Sequence, residues 1–122
     1  MASYAEIVEI VVPSGAVAGA VVRVEIKVKN IYSGTMGIAV TAVYGTTQFS
    51  ISPGSANVGP GVTQSFYGSF VMPSSAVTIT AYSWWYGSDG LWHLDDQKTQ
   101  SVSLTQLAPS VGGFTISDYV KV

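Results

Sequence analysis

The sequence predicts an all-β fold, an antiparallel sandwich of seven to nine short strands, on three observations. Apolar and polar residues alternate with a period of two through several segments, as in strands with one buried face. Clusters of Gly, Pro and Ser punctuate those segments at short intervals, as turns do. No ten-residue stretch carries apolar residues at helical spacing.

Taken in order, Glu6 to Val12 reads as a first strand, ended by Pro13-Ser14-Gly15. Between Ala20 and Asn30, Val22, Val24, Ile26 and Val28 alternate with Arg23, Glu25, Lys27 and Lys29. One face of that strand is therefore buried and the other wet, and its charges are expected to guard it against edge pairing. Asn30-Ile31-Tyr32-Ser33-Gly34 turns the chain into a strand from Met36 to Tyr44, with Ile38, Val40 and Ala42 on one side. A turn-rich stretch follows, holding Phe49 and Ile51 in a short run before Pro53-Gly54. Gly59-Pro60-Gly61 then leads into Val62 to Met72, where Val62, Gln64, Phe66, Gly68 and Phe70 share a parity.

The most heavily patterned stretch, Val77 to Leu104, is two β-rich runs joined by Gly87-Ser88-Asp89-Gly90, the signature of a hairpin. It contains all three tryptophans, Tyr82, Tyr86 and the one histidine. Beyond it, Ala108 to Gly113 reads as a linker and Phe114 to Val122 as a last strand. The expected division is 1–107 for the sandwich and 108–122 for linker plus C-terminal strand. That strand either packs on its own sandwich or is exchanged with a neighbour, with Phe114, Ile116, Tyr119 and Val120 as subunit contacts.

Composition narrows the function. The chain has 122 residues, enough for one core burying roughly two thirds of the unfolded surface. It is 48% hydrophobic and 10% charged, against roughly 25% charged in average soluble domains. A polar but uncharged surface of that kind suits virion, cell-surface or assembling proteins. Five Lys plus Arg and a net charge of −2 supply no basic footprint for nucleic acid. No apolar run is long enough to insert in a membrane, and Glu6 and Glu9 interrupt the N-terminus where a signal peptide would be apolar. There is no cysteine, hence no disulfide or thiol chemistry.

Alternation splits the first arm of the hairpin. Val77, Ile79, Ala81, Ser83 and Trp85 share the expected core face; Thr78, Thr80, Tyr82, Trp84 and Tyr86 share the other. A four-residue loop, Gly87 to Gly90, would set Tyr86 opposite Leu91, Trp84 opposite His93 and Ile79 opposite Lys98. The last pair is poor for a core, so a bulge is expected near Asp95-Asp96-Gln97. Tyr82, Trp84, Tyr86 and His93 then form an aromatic platform. It admits three uses: cover for a sheet beneath the C-terminal segment, contact with a partner or subunit, or stacking against a sugar ring.

Catalytic chemistry finds little to work with. One histidine leaves no selectable triad, and adjacent Asp95 and Asp96 point to opposite faces, so they cannot act as a facing acid–base pair. Asp89, Asp95 and Asp96 match no calcium-loop spacing, and His93 alone cannot make a zinc site. The expectation is no enzyme, no metal and no cofactor.

The order of signals resembles the immunoglobulin-like sandwiches grouped with CARDB (cell-adhesion-related) and similar surface domains. The residues carrying the resemblance are Ile10-Val11-Val12-Pro13-Ser14, the run Gly19 to Asn30, and Gly59-Pro60-Gly61 before a strand ending Val71-Met72-Pro73. Val77 to Tyr82 before an aromatic hairpin completes it. The resemblance implies an immunoglobulin-like sandwich and a non-catalytic module for adhesion, spacing or decoration. The function expected is therefore a structural or adhesion module that self-associates or decorates a virion or cell surface, as a homo-oligomer or lattice component. The alternative is a carbohydrate-binding module using the aromatic face of the hairpin.

Overall fold

The computed structural model describes residues 2–106, which form ten strands in two sheets with no helix among them. The strands are β1 (Ala5–Val11), β2 (Gly15–Ala16), β3 (Val21–Asn30), β4 (Met36–Tyr44) and β5 (Thr47–Phe49). There follow β6 (Ile51–Ser52), β7 (Ser55–Val58), β8 (Thr63–Val71), β9 (Val77–Tyr86) and β10 (Trp92–Leu104). The smaller sheet runs β1-β3-β8-β6. The larger runs β2-β10-β9-β4-β5, with β7 pairing the other half of β4, and only its β2–β10 pair is parallel. The expected strand 114–122, with Phe114, Ile116, Tyr119 and Val120, lies outside the described residues.

Period-two patterning produces the core directly. Val22, Val24, Ile26 and Val28 of β3, Ile38, Val40 and Ala42 of β4, Phe66 and Phe70 of β8, and Ile79 and Ala81 of β9 are all buried between the sheets. One expectation about β3 fails. It is a central strand, flanked by β1 and β8, so its charges do not protect an edge. Two of them instead reach partners across the wet face: Lys27 lies 3.7 Å from Glu9 of β1, and the Ser65 hydroxyl donates to Glu25 at 2.7 Å.

Small strands account for the extra elements. The turn-rich stretch resolves into β5, β6 and β7, each two to four residues long and too short to show alternation. Gly68 makes room for one of them. A Cβ there would lie 2.8 Å from Phe49 Cε2 and 2.8 Å from the Ser50 carbonyl oxygen.

The larger sheet is tied to β1 through carboxylates at the hairpin bulge. Asp95 accepts the backbone amides of Ser3, Tyr4 and Ala5 at 2.7, 2.8 and 2.6 Å, and Asp96 accepts that of Ile7 at 2.9 Å. Buried Ser83 completes the seam, donating to the Ala5 carbonyl at 2.6 Å and accepting the Asp96 amide at 3.0 Å. Side chains thus join the two sheets at the bulge, where β1 and β10 share no backbone ladder.

Candidate functional site: the outer face of the larger sheet

The register of the β9–β10 hairpin decides which rings share a face. Its turn differs from the four-residue loop expected from sequence. The Gly87 carbonyl accepts the Gly90 amide at 3.0 Å, the Gly87 amide donates to the Leu91 carbonyl at 2.9 Å, and Gly90 has a left-handed φ of 80°. That is a three-residue loop, Ser88-Asp89-Gly90, closed by a left-handed glycine. Trp92 consequently pairs with Tyr86, His93 with Trp85 and Leu94 with Trp84. One residue of slip moves every side chain of the second arm to the opposite face.

His93 therefore does not belong to the platform. It stacks on Trp85 with ring centroids 4.4 Å apart, and Tyr4 also meets Trp85 edge-on, at 4.6 Å. Its Nε2 lies 2.9 Å from Asp89 Oδ2. This hydrogen bond, with a second from the Leu91 amide, holds the Asp89 carboxyl below its ordinary value. Trp85 is half-buried in this end cluster rather than sealed in the core. The bulge falls between Leu94 and Asp96, so Ile79 pairs with Gln100, and Lys98 with Ala81.

Trp92 and Leu94 take the place His93 was expected to hold. The outer face is built in rows across four strands. Asn57 of β7 pairs with Gly37 of β4, which lies beside Tyr86 of β9, itself paired with Trp92 of β10. The next row is Ser55, Ala39, Trp84 and Leu94, followed by Thr41, Tyr82 and Gln97. Successive rows are about 7 Å apart, two residues of strand rise. Tyr86, Trp92 and Leu94 are 48%, 42% and 55% exposed. Trp84 is half-buried and its indole N–H donates to Thr41 Oγ1 at 3.0 Å, which fixes the ring against β4.

Two open hollows indent this face. One is lined by Gly37, Ser55, Asn57, Tyr86 and Trp92, with the Tyr86 and Trp92 rings 5.1 Å apart at 63°. The other lies over Thr41, Val43 and Gln48 beside Tyr82, Trp84 and Leu94. None of the residues in these rows is charged. The outer face of the smaller sheet is the opposite, carrying Glu6, Glu9, Arg23, Glu25, Lys27 and Lys29.

The sequence supplied no role for Trp92, Leu94, Gly37 or Asn57. The signal for the first two was present in Gly90, since a left-handed glycine closing a three-residue loop fixes their parity. Asn57 lies on a four-residue strand with no readable pattern. Among the described residues, no three His, Asp or Glu side chains group where they could hold a metal ion.

The two-sheet arrangement has clear counterparts among solved structures. The CARDB domain of the PF1109 protein from Pyrococcus furiosus, solved in complex with di-metal ions, superposes with a TM-score of 0.63. The match covers 84% of this chain and 90% of that one at 14% identity. The fold is an immunoglobulin-like β-sandwich, which this chain shares with that CARDB domain. Escherichia coli alpha-2-macroglobulin matches with a TM-score of 0.63 and 16% identity over 85% of this chain, which spans 7% of that protein's length. A PapD-like domain of human CEP192 follows at 0.56 and 11% identity, with 88% and 89% of the two chains covered. No protein-family model and no curated protein sequence matches the chain.

Proposed function

We propose that the protein is a non-catalytic structural or adhesion module that self-associates, as a decoration or lattice component of a virion or cell surface, through the outer face of its larger sheet. The observation that carries this reading is the segregation of the two outer faces. Half of the twelve charged residues of the chain stand on the smaller sheet, while Tyr82, Trp84, Tyr86, Trp92 and Leu94 stand together on an uncharged face of the larger one.

Aromatic enrichment with depletion of charge is the composition of an interface centre, whereas a surface meant for water carries charge. The rings bury a large area for few rotatable bonds, and Trp84 is already held by Thr41, so little ordering remains to be done on contact. The CARDB likeness agrees with a surface module and contributes the fold to this reading, not the partner.

Sedimentation velocity of the full chain over a range of concentrations tests it. The expected result is an oligomer that Leu94→Asp converts to monomer without loss of fold, since Leu94 is exposed. A monomer at every concentration would overturn the reading. So would an oligomer indifferent to Leu94→Asp and dissolved only by removing residues 114–122.

A further inference from the structure

We infer that the hairpin end of the outer face is a binding site for a neutral sugar, with one pyranose ring of a glycan seated between Tyr86, Trp92 and Asn57. This use rests on the outer face being a contact surface, and it divides that face. The middle, around Trp84 and Leu94, meets another copy, and the hairpin end takes the sugar.

The hollow is open, about 350 Å³, and its shape comes from a missing side chain. Gly37 lies in the row between Asn57 and Tyr86, and a Cβ on it would come within 3.2 Å of Tyr86 Cβ, 3.7 Å of Asn57 Oδ1 and 3.8 Å of Trp92 Cη2. Three walls of different chemistry therefore converge on the space that a larger residue would fill. The Tyr86 and Trp92 rings meet at 63°, so they form two sides of a corner. Aromatic faces carry partial negative charge, and the C–H face of a pyranose presents the weakly positive apolar surface that stacks on them.

The remaining walls supply hydrogen bonds. The Asn57 amide offers two donors and an acceptor to ring hydroxyls, and among the described residues its side chain makes no hydrogen bond of its own. Ser55 adds a hydroxyl on the same side. A small set of polar groups against apolar walls is the usual composition of a small-molecule site. No lining residue is charged, which selects a neutral ligand: an anionic sugar would be desolvated there without a cation to meet it.

The test is titration of the full chain with cellohexaose, chitohexaose and mannohexaose, followed by tryptophan fluorescence and by NMR of the Trp92 indole and Asn57 amide. At least one hexaose is expected to give saturable shifts at both groups. Its affinity should fall about tenfold or more in Trp92→Ala and in Asn57→Ala, and stay unchanged in Tyr67→Ala on the other sheet. No saturable shift with any of the three, or binding undiminished by both hollow variants, overturns the site. Leu94→Asp separates the two claims. If it dissolves the oligomer while no hexaose binds, the contact face stands and the sugar site falls.

Discussion

Asp95 Oδ2 accepts the backbone amide of Ala5 at 2.6 Å, joining the bulge of β10 to the start of β1. The same carboxylate also holds the amides of Ser3 and Tyr4. It thus satisfies three donors that no strand reaches. Hydrogen bonds to a charged acceptor are worth more than neutral ones, though partial exposure reduces them here. Asp95→Ala is expected to cost about 2 kcal/mol in urea unfolding and to speed hydrogen exchange at Tyr4 and Ala5. Asp95→Asn, which keeps one acceptor, should recover part of that loss. Equal exchange in wild type and Asp95→Ala would show that the strap carries no weight.

Ser83 makes a stronger case per atom, because its surroundings are dry. Its hydroxyl both donates to the Ala5 carbonyl and accepts the Asp96 amide. Ser83→Ala leaves the buried Ala5 carbonyl and the part-buried Asp96 amide without it and is expected to destabilise by about 1–3 kcal/mol. Unfolding midpoints in urea read this directly. A change within about 0.5 kcal/mol, ordinary for a surface site, would contradict the assignment.

Gly68 of β8 pairs with Ile51 of β6. Any Cβ there meets a backbone oxygen, which cannot swing aside as a side chain can. Gly68→Ala should therefore cost about 1–3 kcal/mol through displacement of β6. An unchanged melting temperature would mean that β6 yields without cost.

At the hairpin tip, Asp89 is held below its ordinary range by its hydrogen bond from His93 and then by that from the Leu91 amide. A depressed folded-state value means the contribution is present above the ordinary carboxylate pKa and disappears as pH falls through the lowered one. The Leu91 amide resonance should titrate with a midpoint below that of a free aspartate, and Asp89→Asn should abolish the titration. A midpoint at or above the ordinary value would refute the contact.

The fold was legible because long strands with one buried face have to alternate, as β3 does from Val22 to Val28. The bulge lies where it was expected, near Asp95, but the mismatch of Ile79 with Lys98 that suggested it belonged to the four-residue loop; in the observed register the bulge sets Lys98 opposite Ala81. Two kinds of information were not accessible. The short strands β5, β6 and β7 take their structure from pairing with β4 and β8, and not from their own residues. The face of His93 depended on the length of a single turn. Counting Gly87 in the loop put His93 among the platform rings, whereas its amide belongs to the ladder with Leu91. Tyr82, Trp84 and Tyr86 were unaffected because they precede that turn.

Hydroxyl-radical footprinting of the full chain at low and high concentration tests most directly whether the larger sheet's outer face is the contact surface. Trp84, Leu94 and Tyr82 are expected to become protected on concentration, with Tyr67 on the smaller sheet oxidised equally at both. Protection centred on Tyr67, or none at Trp84 and Leu94, would contradict this expectation.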